Sequence, residues 1–328
     1  MNKNREIQLD GRKVSFRQFF EKYGMLCILL LFCLVLSVVS ESFFTWGNWQ
    51  NLIRQVCVNG ILALGMTFVI LTGGIDLSVG PLCAVAGVVA AKFMVDNPNA
   101  PVIVPILLAF GVCLIFGIFY GSIISWSGLP PFVVTLAVMQ IARGLALAYT
   151  DGKPIIIKNE VFRFLGQGKL FGVIPIPVLF FLAIFLYSLF IQRHTKFGRY
   201  IYAIGGNENA AKASGVNVRK YRTLVYIQSA CFVSIAGLLL AARTQSGQPA
   251  VGTSYECDAI AAVVIGGTSM SGGIGGVEGT LVGILIIGVI NNGLNLMGVS
   301  SYYQTVVKGL IILIAVLIDV ITKKANSK

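Results

Sequence analysis

The chain has 328 residues, of which 56% are hydrophobic and only 12% are charged, and its mean hydropathy is +0.84. A soluble domain carries about a quarter charged residues, so this composition excludes a soluble globular protein. The net charge of +12 lies mostly in three basic blocks at 3–22, 193–222 and 323–328. The positive-inside rule produces this distribution in membrane proteins, and we therefore expect a lipid-embedded chain with no nucleic-acid partner.

Apolar segments recur along the whole chain, and a helix of about 20 such residues crosses the hydrocarbon core of a bilayer. The predicted fold is therefore all-α, a polytopic helical membrane protein with about ten transmembrane helices. The segments 79–95 and 258–270 are short and flanked by glycine or proline, so a re-entrant path is the alternative for them. The ten predicted spans are 24–40, 55–72, 79–95, 102–124, 132–149, 175–192, 223–242, 258–270, 277–295 and 303–322.

An even number of spans places both termini and the loop 193–222 on one side, which we predict to be the cytoplasm. The basic residues of the loop 150–175 argue against this count, because that loop would then be external. The stretch SFRQFFEKYG before the first span is amphipathic, and we expect it to lie in the membrane interface. The predicted regions are a cytoplasmic N-terminal segment 1–23, a single transmembrane domain 24–322 and a cytoplasmic tail 323–328.

Asp76 is one of few acidic residues in the chain, and it stands in the stretch GGIDLSVG between two apolar segments. One interpretation is structural: Asp76 or Ser78 caps the helix that begins near Val79, while Gly73 and Gly74 let the backbone turn. The alternative is a direct role on the path of a solute or a proton, since an intramembrane carboxylate is costly to keep. The residues alone leave both interpretations open.

A second glycine-rich stretch, GGTSMSGG, shares the pattern GGxxxSxG with the first and also follows an apolar segment. Paired glycine-interrupted segments are typical of the internal repeats of transporters. Coincidence is the rival explanation, because the chain holds 37 glycines. With Gly73 and Gly74, we take Gly266, Gly267 and Ser271 as candidate gate or hinge residues.

The remaining polar residues give no sign of catalysis. The only histidine, His194, lies in a basic loop, so no histidine–carboxylate relay forms with Asp258, Glu278 or Asp319. The seven cysteines form no CxxC pair, and the phosphate-binding pattern G-x-x-x-x-G-K-[ST] is absent. We therefore expect no catalytic residues, no metal and no cofactor, and an intramembrane enzyme is disfavoured.

Asn291 and Asn295 lie four residues apart in NNGLN, on one face of the ninth predicted span. They are candidates to line a hydrophilic path for an uncharged solute. The alternative is that they form hydrogen bonds between helices.

The loop between the sixth and seventh spans contains the stretch NENAAKASG, which predicts a short helix. Asn207 or Glu208 is a suitable N-cap, and Gly215 is a suitable terminator. A helix of about seven residues is unstable alone in water, so it needs a partner surface. An ordinary surface turn is the alternative interpretation.

Asn209, Ala210, Ala211 and Gly215 stand at the spacing of the EAA-x3-G pattern, which the permeases of ABC importers carry in a cytoplasmic coupling helix, with Asn209 in place of Glu. From about residue 20 to about residue 324, the chain resembles the ribose-type sugar ABC permeases. The stretches that carry this resemblance are GMTFVILTGGIDLSVG, HTKFGRYIYAIGGNENAAKASGVNV, GTSYECDAIAAVVIGGTSMSGG and NNGLNLMGVSSYYQ.

The resemblance implies a homodimeric permease subunit, in a bacterial inner membrane, that moves a monosaccharide such as ribose. It also implies that a partner ABC ATPase hydrolyses the ATP and that an extracytoplasmic sugar-binding protein delivers the solute. The contacts to the ATPase would then come from Asn207, Glu208, Asn209, Ala210, Ala211 and Gly215. The loops 41–54, 150–175 and 243–257 become candidate docking sites for the binding protein. An ion-coupled secondary transporter or a channel remains the alternative.

Overall fold

The structure is a computed structural model that describes the backbone of residues 6–9 and 12–326 and the side chains of 24–314, 316 and 317. Within these residues the chain is mostly helical. The helices in chain order are α1 Phe16–Val39, α2 Trp46–Leu71, α3 Val79–Asp96, α4 Ile103–Ser127, α5 Pro131–Thr150, α6 Glu160–Gln167, α7 Ile176–His194, α8 Lys196–Gly206, α9 Glu208–Ala213, α10 Val218–Thr244, α11 Tyr255–Ile265, α12 Val277–Leu296 and α13 Ser301–Asn326.

Each predicted span overlaps one of these helices, although several bounds differ. The all-α membrane fold is confirmed. Seven described helices are long and apolar enough to cross a membrane, namely α2, α3, α4, α5, α7, α10 and α12. In α1 and α13 the described apolar parts are shorter, Gly24–Val39 and Ser301–Ile314. With 11 residues, α11 reaches only roughly 17 Å, about half of the hydrocarbon core. The count of ten is therefore not confirmed.

Both ends of the chain differ in detail from the sequence prediction. In the N-terminal segment, β1 Glu6–Leu9 pairs antiparallel with β2 Arg12–Ser15. The stretch expected in the interface joins the first span without a break, because α1 runs continuously from Phe16. The backbone of α13 extends to Asn326, so most of the predicted tail is helical, while 327–328 lie outside the described residues.

The centre of the bundle is α10, which packs against α2, α3 and α4. Small residues make these contacts possible, as helix packing in membranes requires. A Cβ on Gly117 of α4 would lie 2.6 Å from Ala230, and one on Gly87 of α3 would lie 3.2 Å from Ala241. A Cβ on Gly237 would overlap the carbonyl of Cys83. The α10 backbone is thus in close contact with two neighbouring helices.

α2 and α11 each end in a glycine turn, and the two turns have the same geometry. Gly73 and Gly267 have φ of +76° and +85°, a conformation that glycine adopts without steric cost. The N–H groups of Gly73 and of the next residue bond back to Ile70 and Val69, and those of Gly267 and Thr268 bond back to Val264 and Val263. The structure therefore matches Gly73 to Gly267, one position away from the alignment of the GGxxxSxG pattern. What the two stretches share is a helix terminus.

An ion pair inside the bundle joins α11, α12 and α13. Lys308 of α13 lies 2.8 Å from a carboxylate oxygen of Asp258, and Asn291 of α12 donates to the same oxygen at 3.2 Å. The Asp258 side chain is only 3% exposed. Because lipid supplies no hydrogen bonds, both charged groups depend on these partners.

Replacing Lys308 by Met should destabilise the folded protein strongly, because it leaves the buried carboxylate of Asp258 unpaired. Removal of one partner of a buried pair costs about 3–5 kcal/mol. The double variant D258N/K308M should recover most of the loss. Unfolding of the purified protein by a denaturant in detergent micelles measures both changes.

Lys92→Met is the matched control, since Lys92 forms a 2.9 Å pair with Asp96 in which both side chains are at least 40% exposed. Exposed ion pairs contribute little to stability, because solvent screens the charges. Equal effects of K308M and K92M would show that the Asp258 pair does not hold the three helices together.

Candidate functional site

The helix expected in the basic loop is present as α9, and its exposed face is formed by small and polar residues. The side chain of Asn207 caps α9 by accepting from the N–H of Ala210 at 3.0 Å. After the helix, Gly215 has a φ of +81° and ends the turn. The exposed residues of the segment are Asn207, Asn209, Ala210, Lys212, Ala213, Ser214 and Gly215.

Two kinds of contact hold α9 on the bundle. Ala211 is 4% exposed and packs with Ile204 of α8 and Val218 of α10. Glu208 forms ion pairs of 2.6 Å with Lys212 of its own helix and with Arg222 of α10. Of the predicted coupling residues, Ala211 and Glu208 therefore face the permease itself, and the others lie on the free side.

The pKa of Glu208 lies below its ordinary value, because Lys212 and then Arg222 donate to its carboxylate. A lowered pKa in the folded state means that the ion pairs stabilise α9 at any pH above the ordinary range of glutamate. This contribution is lost as the pH falls through the lowered pKa. At physiological pH the attachment of α9 to α10 is thus fully formed.

The sequence reasoning missed α8, which directly precedes α9. Thr195 caps it by accepting from the N–H of Gly198, and its apolar residues Ile201 and Ile204 are buried. The spacing of these two isoleucines and the threonine cap are features of the sequence that predict a helix here. Together α8 and α9 form one arm, residues 196–213, at the basic end of the bundle.

Asp76 is completely buried, and its two carboxylate oxygens accept four hydrogen bonds from protein groups. The donors are the N–H and hydroxyl of Ser78, at 3.0 and 2.5 Å, Tyr120 of α4 at 2.9 Å and Ser229 of α10 at 3.1 Å. Thr135 of α5 donates to the carbonyl of Ile75 at 3.0 Å. The turn 72–78, which we call the first glycine turn, is thereby joined to three helices.

Neither the side chain of Asp76 nor that of Ser78 accepts a hydrogen bond from the first turn of α3 itself. Ser78 occupies the N-cap position, but its hydroxyl donates to Asp76 instead. The structural interpretation of Asp76 therefore takes a different form from the predicted helix cap. A carboxylate without protons can only accept, and the four surrounding donors match that capacity.

The residues 266–276, which we call the second glycine loop, lie against the end of α7. Gln192 accepts from the N–H of Val277 at 2.8 Å, and Arg193 pairs with Glu278 in the first turn of α12. A Cβ on Gly276 would lie 2.5 Å from the amide nitrogen of Gln192. The loop thus begins at the short helix α11 and ends at the basic end of the bundle.

The opposite end of the bundle gathers the three loops expected to be external. The strands β3 Ile155–Ile156 and β6 Ser246–Gly247 pair antiparallel. Arg54 of α2 donates to the carbonyl of Gln167, and Gln167 donates to the carbonyl of Arg243 at 2.8 Å. A second short strand pair, β4 Lys169–Leu170 with β5 Ile174–Pro175, lies within the loop 150–175.

The two candidate path asparagines lie in different environments. Asn291 is 3% exposed and bonds to Asp258, whereas Asn295 is exposed and accepts from Gln304 at 2.9 Å. Asn292 was not predicted, yet it exchanges hydrogen bonds with Asn48 of α2 at 2.8 and 3.1 Å. Hydrogen bonding between helices is thus present at all three positions.

The sequence analysis also missed the partners of the buried acids. Tyr120 and Ser229 are 44 and 153 residues from Asp76. Their uncharged side chains do not stand out from the apolar segments around them. Lys308 could have been found, because it is the only charged residue between Ser301 and Leu317.

Replacing Asp76 by Asn should lower the stability of the folded protein by at least about 2 kcal/mol, because hydrogen bonds to a charged group contribute about 1.5–3 kcal/mol each. The new amide group would also face donors instead of accepting from them. Denaturant unfolding in detergent micelles measures the effect. Asp96→Asn is the control, since Asp96 is exposed, and an equal loss in both variants would contradict the assigned role of the buried network.

Comparison with known proteins connects these features to one family. Residues 48–316 match the family described as the permease component of the branched-chain amino acid transport system. A ribose import permease protein of Bacillus subtilis is 45% identical over 97% of this chain and 98% of its own length. One of Escherichia coli strain K12 is 46% identical over 95% and 97%.

A D-allose transport system permease protein of Escherichia coli is 37% identical over 96% of both chains. No solved structure matches. The matched residues include α2 to α12 and therefore both glycine segments and α9. The chain belongs to this family of transport permeases, with the ribose import permeases among its relatives, and the predicted resemblance is confirmed.

Proposed function

We propose that this chain is the membrane subunit of an ATP-driven importer that carries a monosaccharide, with ribose as the expected solute, across the bacterial inner membrane. The observation that carries the proposal is α9, a short helix with an exposed face that is clamped to the end of a long central helix. Similarity to ribose import permeases over nearly the whole chain supports the choice of solute.

In this proposal α9 docks on a partner ABC ATPase, and the ATP is hydrolysed there. The exposed alanines allow a partner surface to approach the helix closely, while Glu208 and Ala211 transmit force to α10. Both termini and the arm 196–213 are cytoplasmic, as the grouping of basic residues supports. A binding protein delivers the sugar to the surface formed by α6, β3 and β6 at the other end.

The proposed transporter has ten membrane helices per copy and two copies around one path. Helix α11 counts as a discontinuous helix that ends inside the protein, a feature that transporters place near their solute sites. A groove of about 600 Å³ between α7 and α10 of the single chain is lined mainly by apolar side chains, with Tyr187 and Gln228, and offers few of the hydrogen-bonding groups that a sugar needs. A path between two copies accounts for this.

An ion-coupled mechanism has less support from the described residues. Asp258 is neutralised by Lys308, and Asp76 is enclosed by four donors, so neither carboxylate is exposed to a proton path. We therefore expect transport to depend on ATP and not on an ion gradient.

Replacing Ala210 by Trp should reduce co-purification of the ATPase subunit by about tenfold or more, because a bulky group would then fill the centre of the docking surface. Ala210 is exposed, so the permease itself should fold normally. Ala250→Trp, at an exposed alanine of the opposite end, is the control and should leave ATPase binding unchanged. Equal binding by both variants would contradict docking through α9.

Proteoliposomes that contain the permease, its ATPase and its binding protein test the complete function. Ribose uptake should require ATP and should persist when ionophores collapse the proton and sodium gradients. Gradient-driven uptake by the permease alone would overturn the proposal.

A further inference from the structure

The arm 196–213 touches the transmembrane region at a point where three stretches of backbone meet without side chains between them. The position is Gly205, the second-last residue of α8. A Cβ on Gly205 would overlap the carbonyl oxygen of Leu71, at the end of α2, and would also contact the amide nitrogen of Gly273. Only glycine allows this approach.

The second glycine loop completes the contact. The N–H of Gly273 donates to the carbonyl of Leu71 at 3.0 Å. Gly272 has a φ of +85°, and a Cβ on it would lie 2.9 Å from both the Cα of Gly205 and the amide nitrogen of Gly73. The first glycine turn, the second glycine loop and the arm thus meet at Leu71, Gly73, Gly205, Gly272 and Gly273, which we call the glycine joint.

A side chain next to the joint binds the arm to the loop. Tyr202, one turn before the joint on α8, donates its hydroxyl to the carbonyl of Gly275 at 2.6 Å. The second glycine loop is therefore held by the arm on two sides, at Gly275 and at Gly272–Gly273. Its other end continues into α11, whose Asp258 pairs with Lys308.

We propose that Gly205 and Tyr202 are positioning residues that transmit the movement of the docked α9 to the second glycine loop and to α11. This inference rests on the proposed function, because it assigns the mechanical connection between the ATPase contact and the membrane helices. Close backbone contact transmits a displacement directly, whereas flexible side chains between the two segments could absorb part of it by changing rotamer. The backbone of the neighbouring Gly206 also lies against Gly273, but the Cβ position of Gly206 itself is open.

The matched pair G205A and G206A tests the joint, because a Cβ on Gly206 would meet nothing within 4 Å. Each variant is reconstituted with the ATPase and the binding protein, and ATP-driven ribose uptake, ATPase co-purification and the amount of folded permease are measured. G205A should bind the ATPase normally but lose uptake by about tenfold or more, since backbone must move to admit the methyl group. G206A should stay within about twofold of the unmodified protein on all three measurements.

The second pair, Y202F and Y200F, keeps the proposal falsifiable if G205A fails to fold. Among the described residues the hydroxyl of Tyr200 has no hydrogen bond, while its ring contacts Tyr221. Y202F should lower the uptake per ATP hydrolysed by about threefold to tenfold, the effect of one lost hydrogen bond, and leave ATPase binding intact. Y200F should change neither.

The outcomes separate the joint from the function itself. Wild-type coupling in G205A, or equal coupling in Y202F and Y200F, would overturn the joint while ATP-driven uptake by the unmodified protein stood. Absence of ATP-driven uptake in the unmodified protein would refute the proposed function. Loss of ATPase binding in Y202F would overturn the joint as well, since it would place Tyr202 in the docking surface.

Discussion

The proposed transmission of movement from α9 to the membrane helices depends on close backbone contact between the arm and the second glycine loop. In the proposed function, the permease receives movement from its ATPase at one end and opens a path elsewhere. Helix bundles transmit small shifts because packed surfaces adopt discrete arrangements and do not deform continuously. At the glycine joint no side chain lies between Gly205 and Leu71, so a shift of the arm reaches the end of α2 and the second glycine loop directly.

The bilayer imposes the second condition. Every polar group in the membrane must find its partner within the protein. Asp76 does so with the hydroxyl groups of Tyr120 and Ser229 on two helices and with the hydroxyl and N–H of Ser78, and Asp258 does so with Lys308 and Asn291. Asp76 fixes the first glycine turn to α4 and α10, and Asp258 fixes α11 to α12 and α13. The second glycine loop follows α11 and contacts the first glycine turn at Gly73, so it is connected to both.

The sequence predicted the fold class and the positions of the helices well, because long apolar segments leave lipid-embedded helices as the only solution. It predicted the short helix α9 from local chemistry, with Asn207 as one of two candidate caps. It counted 258–270 among the ten spans and gave a re-entrant path only as the alternative, since an apolar segment that ends in glycine does not reveal where its helix ends. Nor could it reveal the partners of Asp76, because Tyr120 and Ser229 come to it only when α4 and α10 pack together. The close approach at Gly205 is likewise a property of the tertiary structure, and the sequence offers only one glycine among 37.

The arm and the second glycine loop should move as one body during transport. Linking them covalently, in a chain whose seven native cysteines have been replaced, tests this joint movement directly. Cysteines at Tyr202 and at Ile274, which is 59% exposed, would be joined by a short flexible thiol reagent, and ATP-driven ribose uptake would be measured before and after linking. Uptake should be at least as high after linking as before. Loss of uptake on linking within one chain would show that the arm and the loop must separate during transport, which rules out their movement as one body.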